Sequence, residues 1–113
     1  MLQERIEAFI KRADEVKAAA WEASKFTHSA APTHEVEYAQ KWAKVYRVEN
    51  GRRASIYAFI ALEDFATKQL GVVKAGDIFR PATYKAPAKH KRGSVFQEDF
   101  GGCIGPWGIA YLR

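Results

Sequence analysis

Asn50-Gly51 stands between two runs rich in Val, Ile, Tyr, Phe and Trp, Lys41 to Glu49 and Arg52 to Leu62, and no other feature restricts the fold as much. Asn-Gly tolerates two consecutive positive φ angles, the demand of a type I′ turn, so the pair predicts a β-hairpin with Glu49 facing Arg52. Regular pairing back from that turn sets Val45 opposite Ile56 and Ala43 opposite Ala58 on one face. The other face then receives Tyr46 beside Ser55, Lys44 beside Tyr57, and Trp42 beside Phe59. A chain built on this hairpin has antiparallel sheet at its centre, and its small, branched face needs a cover.

The cover is encoded at the N-terminus. Leu2, Ile6, Phe9, Ala13, Val16, Ala20 and Ala23 recur at spacings of three and four, which predicts an amphipathic helix over residues 2–26. The stripe also fits a heptad seam, so it serves either the chain's own sheet or a homodimer through the N-terminal helix. The alanines favour close packing within one fold. Residues 27–35, with Pro32, read as a connector, and the spacing of His28 and His34 within it matches no metal signature, which leaves them solvent-exposed.

Beyond the hairpin, Glu63 to Leu70 predicts a short helix closed by Gly71. A third strand follows over Asp77 to Tyr84, and Pro81 puts an edge or a bulge there. The last twenty residues, with Phe96, Phe100, Gly101, Gly102, Gly105, Pro106, Trp107, Gly108 and Tyr111, imply an irregular path, returning as a short strand over Ile109 to Leu112. Together these elements define one α+β domain over residues 1–113: an N-terminal helix on a small, mostly antiparallel sheet with a glycine- and aromatic-rich tail.

With 48% hydrophobic and 27% charged residues, the chain belongs with soluble globular domains. No apolar run approaches the ~20 residues that span a bilayer, and no signal peptide opens the sequence, so a cytoplasmic location without membrane partners is expected. Cys103 is the single cysteine and has no histidine partner in context. There is no phosphate-cradling glycine loop and no dinucleotide fingerprint, and Asp77, Glu98 and Asp99 lack the spacing of a metal loop. The chain therefore reads as a binder rather than an enzyme, with no catalytic residue, cofactor or metal.

Charge points to what it binds. Residues 41–92 carry a net +8, whereas 1–40 carry −2 and 93–113 carry −1. From Ile78 to Gln97 there are five Lys or Arg and no acid, so a loop holding Lys85, Lys89, Lys91 and Arg92 favours a phosphate-bearing partner. Arg47, Arg52 and Arg53 add a second group near the hairpin tip. Trp42, Tyr46, Tyr57 and Phe59, with Lys44 and Arg53, have the composition of a face that stacks bases; alternatively the C-terminal tail, with Trp107 and Tyr111, covers them as core. Nucleic acid is the leading partner. The alternatives are a small cyclic or dinucleotide, with Tyr84 or Trp42 on its base, and a host protein whose acidic groove is blocked.

The segment Gly76-Asp77-Ile78-Phe79-Arg80-Pro81, continuing through Tyr84-Lys85-Ala86-Pro87-Ala88-Lys89 to Arg92-Gly93-Ser94-Val95, resembles small, mostly uncharacterised proteins of tailed bacteriophages. These share a Gly-Asp-Ile/Val-Leu/Phe strand, an aromatic-Lys-x-Pro-Ala-Lys/Arg stretch and a terminal Arg-Gly. The resemblance covers the last two thirds of the chain, without the helix. It implies a viral origin and roles in nucleic-acid binding or counter-defence, and it transfers no catalytic residue.

Overall fold

A computed structural model describes residues 1–24, 30–105 and 108–109. Helix α1 (Leu2–Ala23) is followed by β1 (Thr33–Tyr38), β2 (Trp42–Glu49), β3 (Arg52–Ala61), β4 (Phe65–Thr67), β5 (Gly71–Val73), β6 (Asp77–Pro81) and β7 (Pro87–Ser94). A 3-10 turn (Glu98–Gly102) and the pair β8 (Ile104–Gly105) and β9 (Gly108–Ile109) complete the described chain. Five strands form one sheet in the order β1-β2-β3-β6-β7, every neighbouring pair antiparallel, so the α+β class follows from the observed topology.

The turn between β2 and β3 forms as its residues require, with Asn50 at φ 54° and Gly51 at φ 77°, and Glu49 pairs with Arg52. Regular pairing stops there. Two register shifts, between Arg47 and Val48 and between Val45 and Tyr46, leave Ala54 and Tyr57 as extra residues on β3. Val45 therefore pairs with Ala58 and Trp42 with Ala61, rather than with Ile56 and Phe59. The second bulge also turns Tyr57 to the helix side, where its hydroxyl donates to the Gly105 carbonyl at 3.0 Å. Tyr57 thus does not belong to the aromatic face that regular pairing assigned it.

Helix α1 packs within the fold. Ile6, Phe9 and Ala13 are buried with Ala43, Val45, Ala58, Ile60 and Ile78. Phe9 meets Phe100 edge-on at 5.6 Å and Tyr57 at 6.1 Å. The described part of the C-terminal segment shares this side, contributing Phe100, Cys103 and Ile109. Predicted helical residues 25 and 26 lie outside the described set, as do His28, Trp107, Tyr111 and most of the strand expected over Ile109 to Leu112.

Three further expectations are corrected. The stretch Thr33–Tyr38, whose first three residues belong to the expected connector, is an edge strand paired along its length with β2, because His34, Val36 and Tyr38 alternate with outward residues. Glu63 to Leu70 is not a helix: Phe65 pairs with Val73 and Thr67 with Gly71 in a small hairpin, whose Phe65, Leu70 and Val73 cover the sheet's outer face. Burial of that apolar trio outweighs the weak helical preference of eight residues. The third strand ends at Pro81 rather than Tyr84, at a register shift beside it.

The basic segment is the largest change. Residues 87–94 are not a loop but the edge strand β7, paired with β6 through Phe79–Lys91 and Ile78–Gly93. Lysines on an edge strand discourage further strand addition, and Pro87 stands at the strand start, where a missing N–H is tolerated. Gly93 is there for packing, since a Cβ at this position would lie 2.3 Å from the Phe100 carbonyl oxygen. Gly93→Ala is expected to destabilise the fold by about 1–3 kcal/mol, measured by urea unfolding, because backbone rather than a movable side chain obstructs the methyl.

Candidate ligand cleft on the outer face

The outer face of the sheet carries Trp42, Phe59 and Phe79. Trp42 meets Phe59, Phe65 and Phe79 edge-on at 5.4–5.8 Å, so the face is stapled by rings from four strands. What covers it is the β4–β5 hairpin and not the C-terminal tail. The cover is incomplete. Between the hairpin and the start of β7 a two-chambered cleft stays open, with volumes of about 410 and 260 Å3 and with Gln69, Leu70 and Pro87 common to both chambers.

Trp42, Phe65, Leu70 and Pro87 form the apolar floor, and Lys41, Lys68 and Lys89 stand at the rim. Among the described residues no acid lines either chamber. Lys41 holds its ammonium 5.2 Å from the centre of the Phe65 ring, a cation–π contact that keeps the charge at the mouth. None of these lysines pairs with a carboxylate among the described residues. Lys74 is neutralised by Asp64 at 3.7 Å, so the rim charges at 41, 68 and 89 stand apart from the chain's internal pairs.

The sequence-predicted cations separate into two sets. Lys85 and Lys89 are exposed and pair with no described carboxylate, as does Arg52 at the hairpin tip. Lys91 faces Asp77 at 3.6 Å, and Asp77 is itself buried and accepts from the Lys74 amide, so Lys91 holds the sheet edge together. Arg53 pairs with Glu35 and Glu37 and lies 4.3 Å over Tyr46, which raises its already high pKa, chiefly through the Glu35 hydrogen bond. Arg92 is half-buried, with Nε and Nη1 out of reach of solvent. The expectation of four open cations on one loop is therefore corrected to two, because Asp77 holds Lys91 and Arg92 is half-buried.

Tyr84 is exposed on the turn between β6 and β7. Thr83 shapes this turn by accepting from the amides of Lys85 and Ala86 at 3.2 and 3.1 Å, and the Tyr84 ring comes to 5.8 Å from Tyr46. Arg53, Tyr46 and Tyr84 are thus contiguous. Trp42 lines one chamber of the cleft and Lys89 the other, while Arg52 contributes to neither group. Sequence reasoning missed Lys41, Lys68 and Phe65, which enter the site only because the β4–β5 hairpin folds back over the sheet.

Two other residues are also reassigned. His34, expected at the surface, is buried on β1 and bonded through Nδ1 to Asp14 of α1 at 2.8 Å. Cys103 is buried, and desolvation pushes its thiol up to about 11. It should therefore resist thiol reagents in the native protein and react fully once unfolded, a contrast that timed labelling with and without denaturant checks. Among the described residues no group of three or more His, Cys, Asp or Glu is placed to hold a metal ion, and no helix is long and apolar enough to cross a membrane.

Fold and cleft together define an α+β domain with an aromatic floor and a cationic rim. The chain belongs to the Family of unknown function (DUF7717), whose model matches residues 1–104 and so includes helix α1. No curated protein and no solved structure matches significantly.

Proposed function

We propose that this protein is a non-enzymatic binder of a phosphate-bearing ligand, nucleic acid first, and that the outer-face cleft is its site. The observation that supports this most is a lining without acids among the described residues, in which Lys41 stands in the chamber that holds Trp42 and Phe65 and Lys68 and Lys89 line the adjoining one. Single strands suit such a site better than duplex, because unstacked bases reach Trp42 and Phe65 while the backbone lies along Lys68 and Lys89. Lys85 and Tyr84 extend the track at the β6–β7 turn. The likeness of the 76–95 segment to tailed-phage proteins supports a phage-encoded role in the host cytoplasm.

A second reading, capture of a small cyclic or dinucleotide signal in counter-defence, draws on the chamber volumes, which approach the ~300–1,000 Å3 of small-molecule sites. Fluorescence anisotropy with labelled single-stranded oligonucleotides tests the first reading. Binding to many sequences, weakening steeply with salt, is the expected result. Salt-insensitive, one-to-one stabilisation by one nucleotide transfers the site to the second reading. Binding of neither ligand, with a host protein retained instead, removes both and favours a module that inhibits a host enzyme.

A further inference from the structure

On the opposite face of the sheet a row of polar residues crosses three strands. His34 on β1 pairs with Arg47 on β2, and Arg47 pairs with Ser55 on β3. Helix α1 adds Asp14, whose carboxylate accepts from His34 Nδ1 at 2.8 Å. With a carboxylate as partner the hydrogen sits on Nδ1, and Nε2 is the ring nitrogen left for other contacts. Both β3 bulges fall at this row, Ala54 before Ser55 and Tyr57 after Ile56, and bulges commonly re-aim side chains beside functional sites.

His34, Arg47 and Ser55 line a pocket of about 110 Å3, together with Ile56, Tyr57, Arg80, Pro81, Gly108 and Ile109. That volume is too small for a nucleotide and several times the ~30 Å3 share of one water, which leaves room for a small ion. Among the described residues, two arginines line it and no carboxylate does. Arg80 is fixed by donating Nη1 to the Ile109 carbonyl. Arg47 donates Nη2 to Glu49 at 2.9 Å, while its Nε is buried and makes no hydrogen bond. A guanidinium that lines a pocket offers an entering oxyanion charge-assisted donors.

We propose that this pocket binds one tetrahedral oxyanion of the phosphate class, held by Arg47, Arg80 and Ser55, with His34 as a proton-linked contact. The site is independent of the outer cleft, because it lies on the other face and shares no residue with it.

The linkage has a definite sign. Burial lowers the His34 pKa most, Lys17 and Arg47 lower it further, and Asp14 acts against them; Arg80 adds positive charge, and the Tyr57 phenol, its own pKa raised by burial, stays neutral. The imidazole of the free protein is therefore neutral near pH 7. A bound anion favours the imidazolium, so binding takes up a proton and tightens as pH falls from 7.5 to 5.5. Sulfate is the suitable probe, since it does not titrate in that range.

The test is isothermal titration and thermal unfolding with sodium sulfate against sodium chloride at equal ionic strength. The expected result is a saturable, sulfate-specific rise in melting temperature that grows toward pH 5.5. Arg47→Met should weaken sulfate at least about tenfold, Ser55→Ala less, and Lys68→Ala/Lys89→Ala not at all. Competition by inorganic phosphate and phenyl phosphate assigns the site to a phosphomonoester end, and competition by phosphate alone assigns it to the free ion. Sulfate acting no differently from chloride, or equally on wild type and both pocket variants, overturns the proposal. Should Arg47→Met not fold, Ser55→Ala and the NMR titration of His34 with and without sulfate decide it: an imidazole pKa that sulfate leaves unmoved is equally fatal. Loss of oligonucleotide binding in the lysine variant alone affects only the outer cleft.

Discussion

Phe9→Ala is expected to lower the unfolding free energy by about 3–5 kcal/mol, a large part of the ~5–15 kcal/mol that a domain of this size possesses. The ring is fully buried, and it touches both Tyr57, turned inward by the β3 bulge, and Phe100. Phe100 is placed by an unusual turn in which Asp99, Phe100 and Gly101 all have positive φ, 49°, 55° and 73°. That backbone is unfavourable for a phenylalanine and is held by what its side chain packs against. Removing Phe9 therefore opens a cavity and also weakens the support of the turn, which places the expected loss toward the upper end. Urea unfolding with an unchanged m-value measures it, and Val72→Ala, at an exposed position, serves as a control within about 0.5 kcal/mol of wild type. A loss below about 1 kcal/mol for Phe9→Ala contradicts the docking of α1 on the sheet.

The parts of this fold that sequence predicts correctly are those with local causes. Helix α1 is legible because its apolar period is carried by adjacent turns, and the β2–β3 hairpin because Asn50 and Gly51 supply the two φ angles themselves. Even so, the buried stripe shifts at its far end: Lys17 rather than Val16 is buried, with its ammonium 5.6 Å from the Trp21 ring. The bulges at Ala54 and Tyr57 leave no local mark, since neither is the glycine that often marks a bulge. Their position follows from what the two faces must bury, which depends on β6, α1 and the C-terminal segment together. The cationic run at 85–92 reads as a loop for a related reason. An edge strand one of whose faces is solvated reads as a charged loop until its partner strand is known.

The candidate site was legible in its chemistry and not in its place. Trp42 and Lys89 are identifiable as a ring and a cation, but 47 positions separate them, and Gln69 and Leu70, which line both chambers, belong to a hairpin whose sequence predicts a helix. Among Thr33 to Tyr38, alternation of His34, Val36 and Tyr38 with Thr33, Glu35 and Glu37 was the available signal for a strand that buries His34. Its partner Asp14 lies 20 residues earlier on the helix, a contact that no spacing rule proposes.

Lys68→Ala combined with Lys89→Ala should reduce single-stranded oligonucleotide affinity by at least about 100-fold, each lysine contributing a charge-assisted contact of about 1.5–3 kcal/mol. Both side chains are exposed and unpaired by carboxylates, so the melting temperature should hardly move, and a loss of binding cannot be blamed on unfolding. The salt response gives an independent reading. Every phosphate contact to a single strand contributes about 0.7 to the slope of log K against log salt, so removing two contacts should flatten that slope by about 1.4. Lys91→Ala makes the opposite comparison: its ammonium serves Asp77, so its loss should lower stability while leaving the slope unchanged. If instead the double variant binds with the wild-type slope and the Lys91 variant does not, the ligand runs along the edge strand, and the aromatic cleft beside it serves only to bury Phe65 and Leu70.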